Sequence, residues 1–324
     1  MILLKQTDYA YTTAYIRALE NRLLTKSDIE ALVLAEDFSS AVQSLRDRGY
    51  FEGVISPSNL DEVLLKKLKE FRDEIIWASP KDNILNIFLY KNDFHNLKAV
   101  LKAVSSKQTE FERFLLSPST VDYNLFVEAA AEMDFSVLPE DMRPAAEEAF
   151  NLLNRAGDSS LAEAVVDKAC MDKMMAEAKQ TKVEFLIGLI KLENTMADIK
   201  IAQRCAKTGK DKSFLDKSLS EESNIERNVL ISAAVAGNVL EVLEEKGFYD
   251  AAKALEMGFS EFEKYADNAV YDYVKTAAQI TFGIEPVIAY LYRKQTEIGT
   301  LRVVLNAKYN GISQDEIRSR LREV

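Results

Sequence analysis

Three stretches spaced 102 residues apart constrain this 324-residue chain more than any single motif does. "NDFHNLKAVLKA", Asn92 to Ala103, aligns without a gap on "NTMADIKIAQRC", Asn194 to Cys205, and on "TEIGTLRVVLNA", Thr296 to Ala307. In that register Phe94, Met196 and Ile298 are apolar, and Leu97, Ile199 and Leu301 are aliphatic. Lys98, Lys200 and Arg302 are basic, and Ala103, Cys205 and Ala307 are small. Upstream, Ile84, Leu186 and Ile288 agree, as do Ile87, Leu189 and Leu291. Amphipathic helices resemble one another at any multiple of their period, so the weight rests on the equal spacing of two successive intervals. A fixed period predicts repeated units that bury their apolar faces on their neighbours, with approximate bounds 1–90, 91–195 and 196–324.

The N-terminus holds a truncated relative. In "YAYTTAYIRALENRLL", Ile16 and Arg17 match Leu97 and Lys98 at a shift of 81, with Thr13 in the column that is apolar elsewhere. The next segment, "TKSDIEALVLAEDFSSAVQSL", resembles "PSTVDYNLFVEAAAEMDFSVL" and "EESNIERNVLISAAVAGNVLEVL" in the later units. The last copy ends soon after its repeat helix, so the chain starts and stops in mid-unit. The two terminal fragments are expected to complete one unit together, burying Leu19, Leu23 and Leu24 against Leu291, Leu301 and Leu305.

Helical periodicity runs throughout. In "DEVLLKKLKEFRDEIIWAS", Leu64, Leu68, Phe71 and Ile75 line one helix face and Pro80 supplies the stop. Similar patterns cover Ser27 to Arg48, Ser160 to Ala178, Glu261 to Ala278 and Pro286 to Asn306, and "NVLISAAVAGNVL", Asn228 to Leu240, predicts a buried helix. Only 11 Gly and 6 Pro interrupt them, and alternating β-branched runs with tight-turn signals are missing. The fold class is all-α.

Charge and cysteine usage narrow the function. A formal charge of −11 opposes the counterion-release attraction that draws proteins onto nucleic acid or anionic lipid. Cys170 and Cys205 stand alone in helical surroundings, which points to a reducing cytoplasm rather than a disulfide or zinc framework. The longest charge-free apolar run falls short of the roughly 20 residues a bilayer demands. Lys5, Asp8 and Arg17 come too early for a signal-peptide core.

Chemical motifs are sparse. His95 is the single histidine, and its aligned counterparts Ala14, Ala197 and Gly299 indicate a helix position that tolerates small residues, hence a structural or interface role. "AKTGKDK", Ala206 to Lys212, fails as a P-loop because Arg204 and Asp211 stand where glycine and Ser or Thr are needed. The pairs Glu147-Glu148, Glu221-Glu222 and Glu244-Glu245 point about 100° apart on a helix and read as solvated faces. No catalytic, cofactor or metal site is expected. The column Lys98, Lys200 and Arg302, with His95, supplies the candidates for partner contact. Stem packing or local ion pairing is the competing reading of these cations.

"YAYTTAYIRALENRLLTKSDIEALVLAEDFSSAVQSLRDRGY", "NDFHNLKAVLKA" and "GIEPVIAYLYRKQTEIGTLRVVLNAKYNGISQDEIRSRL", in that order, resemble the C subunit of the V-type/A-type ATPases, the homologue of the eukaryotic d subunit. The resemblance spans essentially the whole chain. It implies a funnel-shaped all-α body of three similar helical domains around a pseudo-threefold axis. It also implies a noncatalytic rotor part, a socket joining the central-stalk subunits to the membrane c ring in ATP-linked proton or sodium transport. Such a part would be monomeric when isolated, and peripheral on the cytoplasmic face of the membrane through the complex. A soluble α-solenoid scaffold for cytoplasmic protein partners is the alternative; it would leave the chain termini far apart.

Overall fold

The computed structural model describes residues 6–80 and 84–322. Among the described residues there are helices and no strands. They fall into two compact units, one of Asn83–Phe262 and one assembled from Ile2–Asp82 with Glu263–Val324.

In chain order, the N-terminal part of the split unit holds α1 (Ala10–Glu20), α2 (Lys26–Leu34), α3 (Phe38–Asp47) and α4 (Leu60–Ala78). The continuous unit holds α5 (Tyr90–Ser106), α6 (Tyr123–Glu132), α7 (Arg143–Asn151), α8 (Ser159–Thr181), α9 (Glu184–Thr208), α10 (Lys212–Asp216), α11 (Arg227–Ala236), α12 (Val239–Glu245) and α13 (Tyr249–Met257). After α14 (Phe259–Lys275), α15 (Glu285–Tyr309) and α16 (Gln314–Arg320) return the chain to the split unit.

The three aligned stretches lie on α5, α9 and α15. Each of these helices packs against a pair of shorter ones: α5 against α6 and α7, α9 against α11 and α12, and α15 against α2 and α3. The third pair comes from the opposite end of the chain. Its core joins Leu24, Ile29, Leu32, Val33, Val42 and Leu45 to Ile298, Leu301, Val304, Leu305 and Ile317. Of the six leucines expected at this junction, Leu19, Leu24, Leu301 and Leu305 are buried, and Leu23 and Leu291 are half-buried. Both terminal segments thus share one unit, unlike the ends of an open solenoid. Thr13, polar in an apolar column, is buried with its hydroxyl 3.5 Å from the Gly283 carbonyl oxygen.

Two expected helices are broken, each by a local cap. The pattern from Ser27 to Arg48 divides into α2 and α3 because Asp37 accepts the Ser40 N–H at 2.8 Å and so starts a new helix. Thr25 and Asp28 form a capping box at the start of α2. The run from Asn228 to Leu240 divides at Gly237, whose φ of +78° ends α11 in the left-handed conformation that glycine adopts without strain.

Candidate functional site

Irregular loops must find partners for their backbone polar groups, and here the long helices supply them. The loop from α5 to α6 runs back across α5, whose side chains grip it at successive points. Asn92 donates to Pro118 O at 2.8 Å, and Asn96 both donates to Leu116 O at 2.9 Å and accepts from Leu116 N at 2.7 Å. The buried Asp93 carboxylate accepts Thr120 N–H at 2.7 Å, Val121 N–H at 3.2 Å and the Thr120 hydroxyl at 2.5 Å. His95 completes the row: its Nε2 lies 3.0 Å from Phe114 O, which requires the ring to donate from that nitrogen.

α9 does the same one repeat later. Asn194 donates to Glu222 O at 3.1 Å, Thr195 Oγ1 accepts Asn224 N–H at 2.8 Å, and Asp198 accepts Ser220 N–H at 2.9 Å and the Ser220 hydroxyl at 2.6 Å. These residues stand 102 positions after Asn92, Asp93 and Asn96. Burial pushes the Asp198 carboxyl up to about 6 although the Ser220 bonds favour its charged form. Each such bond contributes about 0.5–1.5 kcal/mol net, and together they fix loops that would otherwise wander.

The structure gives the basic column local work. Lys98, half-buried on α5, pairs with Asp167 of α8. Arg302 Nε lies 2.8 Å from Asp61 Oδ1 of α4, with Arg302 half-buried and Asp61 exposed. Lys200 is half-buried on α9. His95 and Lys98 share α5, whereas Lys200 and Arg302 each occupy another helix, so the four do not form one cluster. The Arg302–Asp61 surface pair contributes only about 0–1 kcal/mol.

Sequence reasoning missed Asp93, Asn96, Asp198 and Glu297. They sit inside the aligned block, but their columns mix types: Asp93, Thr195 and Glu297 in one, Asn96, Asp198 and Thr300 in the other. All six are buried. What each column shares is hydrogen-bonding capacity inside a helix face, a signal that matching by charge or size passes over.

The split unit also presents an aromatic surface. Tyr11 stacks on Tyr15 with centroids 6.3 Å apart, and Tyr15 meets the edge of Trp77 at 6.4 Å. Trp77 is 73% and Tyr11 61% exposed, and a Thr12 hydroxyl bond to Ala78 O at 2.6 Å holds the two helices in place. An open depression of about 520 Å³ in the other unit is lined by Pro144, Glu147, Glu148, Asn151, Leu152 and Lys217. Its Glu148–Lys217 pair, 2.6 Å apart, is mutually satisfied. Among the described residues no group of three or more His, Cys, Asp or Glu is placed to hold a metal ion, and no helix is long and apolar enough to cross a membrane.

The arrangement is thus one of helices bracing loops and presenting surface. Known proteins are similar to this chain over most of its length. The model of the ATP synthase (C/AC39) subunit family matches residues 12–320. The C subunit of the A-type ATP synthase of Methanocaldococcus jannaschii is 26% identical, covering 97% of this chain and 86% of its own length. Its counterpart in the A-type ATP synthase of Haloquadratum walsbyi is 24% identical over 95% of this chain and 96% of its own. The C subunit of the V-type ATP synthase of Thermus thermophilus is 24% identical over 96% and 97%. A match from residue 12 to residue 320, taking in both terminal fragments and all three repeat helices, places this chain in the ATP synthase (C/AC39) subunit family.

Proposed function

We propose that this chain is the rotor socket of an A/V-type ATPase, seating the central stalk on the membrane c ring and so coupling ATP chemistry to proton or sodium movement. Family membership supplies the coarser statement, that it is a noncatalytic subunit acting within a rotary ATPase complex. The end-to-end match, with both terminal fragments inside it, carries the finer reading.

Physics supports that role. A part that passes torque must resist shear, which favours close-packed helices whose loops are tied down rather than free. The polar rows of α5 and α9 provide such ties. Three repeat helices, each with its helix pair, support the reading of three similar domains around a pseudo-threefold axis, with approximate bounds 1–90, 91–195 and 196–324. Contact with the stalk and the ring is assigned to the protein surface, with His95, Lys98, Lys200 and Arg302 as candidates. Among these, Arg302 can exchange an exposed partner at least cost, and the exposed Tyr11 and Trp77 rings add an apolar contact of the kind that partners cover. In this reading the isolated chain is a monomer, and it reaches the cytoplasmic face of the membrane only through the complex.

The test is coupling. Membranes carrying the complex without this chain should hydrolyse ATP without taking up ions, and adding the purified chain should restore uptake. Full ATP-driven uptake in its absence would exclude a socket.

A further inference from the structure

α15 repeats the loop-gripping arrangement of α5 and α9 with a change of connectivity and a change of chemistry. Glu297 occupies the column of Asp93 and Thr195. In the first two repeats that position accepts backbone N–H groups from the residues entering the next short helix: Thr120 and Val121 ahead of α6, and Asn224 ahead of α11. Glu297 accepts Leu24 N–H at 2.6 Å, one residue ahead of the Thr25 cap of α2. The two earlier grips hold loops 27 to 29 residues downstream, whereas Leu24 is 273 residues away, at the other end of the chain.

The chemistry differs to match. Glu297 Oε1 accepts from Lys294 Nζ at 2.5 Å and from the Tyr50 hydroxyl at 2.7 Å. Lys294 Nζ in turn lies 4.1 Å from the Phe71 ring centre and 5.1 Å from that of Tyr50. Lys294 and Glu297 are 1% and 2% exposed, yet Tyr50, Phe71 and Leu24, which enclose them, all belong to the N-terminal segment. A charge pair buried this deeply is costly unless every hydrogen bond is made, so it holds only when the N-terminal segment is docked in register. A grip without a short connecting loop also lacks the entropic help that the other two receive from their own chain continuity.

We propose that the Lys294–Glu297 pair, roofed by Tyr50 and Phe71, is a releasable clasp that holds residues 21–50 on α15. Unbalancing its charge opens the protein at this seam, freeing those residues as a unit while Asn83–Phe262 stays folded. The split unit is therefore the built-in opening point of the protein, and the grips on α5 and α9 are fixed.

Hydrogen exchange of the full-length protein tests this. Leu24 N–H and Tyr50 OH bond to different oxygens of Glu297. Glu297→Gln keeps one acceptor, for Leu24 N–H, and turns its NH2 to Tyr50 Oη, which can accept, but it strands the Lys294 charge. It is expected to speed exchange across residues 21–50 at least tenfold and to leave 83–262 unchanged. The double variant Lys294→Met/Glu297→Gln removes the stranded charge and should restore protection of 21–50, a rescue that simple loss of packing would not give. If Glu297→Gln does not fold, Tyr50→Phe removes one bond to the clasp and should raise exchange several-fold in the same residues alone. Unchanged protection of 21–50 in Glu297→Gln, opening that spreads through 83–262, or failure of the double variant to rescue would each overturn the clasp.

Discussion

His95 shows how an isolated titratable residue can be structural. Its bond to Phe114 O is made at a partly exposed site beside the bonds that Asn92, Asp93 and Asn96 make to the same loop. His95→Ala should therefore cost about 1 kcal/mol or less and leave complex assembly intact, read by thermal melts and by ATP-driven ion uptake. Loss of uptake with unchanged stability and unchanged assembly would assign His95 a chemical task. Asp198 should behave differently. Its carboxyl is raised in the folded protein to about 6, above the roughly 3.9 of an unfolded chain, so the folded state binds its proton more tightly. That contribution to stability is full below about pH 4 and is lost as pH rises through about 6. Asparagine already fills the matching position at Asn96, so Asp198→Asn should fold and should remove on the order of 2 kcal/mol of pH dependence between pH 4 and 7. Parallel melting profiles of the variant and wild type across that range would contradict this assignment.

At the scale of elements, helix content was legible and helix ends were less so. Apolar spacing located α4, α8, α14 and α15 within a few residues, because burial of one face dictates that spacing. The division of α2 from α3 was hidden, since the apolar pattern runs on through the break and one side-chain bond from Asp37 decides it. Asp37→Ala should cost about 1 kcal/mol and raise exchange first in residues 38–41, the turn that the cap holds. Uniform loosening of the whole helix pair would mean that packing, not the cap, sets the boundary. The candidate contact residues were legible as a basic column. Their pairing with Asp167 and Asp61 was not, because those partners lie 69 and 241 residues away in sequence and follow no local rule.

For the whole molecule, the decisive feature is a unit built from both chain ends. Ile298, Leu301, Val304 and Leu305 cover the core of α2 and α3, and each such side chain contributes roughly 1.5–3 kcal/mol by burial, against a total stability of about 5–15. Deleting Pro286 to Val324 should therefore unfold the N-terminal segment as well, with residues 14–48 losing their protection from hydrogen exchange. Full protection of those residues after the deletion would show that the N-terminal helices stand alone. The periodicity at 102 residues made this closure legible, whereas the buried charges that fasten it lay in columns of mixed chemistry. Function belongs to the same scale, since a socket must hold two partners at once. Co-sedimentation of the purified chain with isolated c rings and central-stalk subunits is the most direct test. If the chain is the socket, the stalk subunits pellet with the rings only when it is present, and stalk subunits that pellet equally well without it would contradict that role.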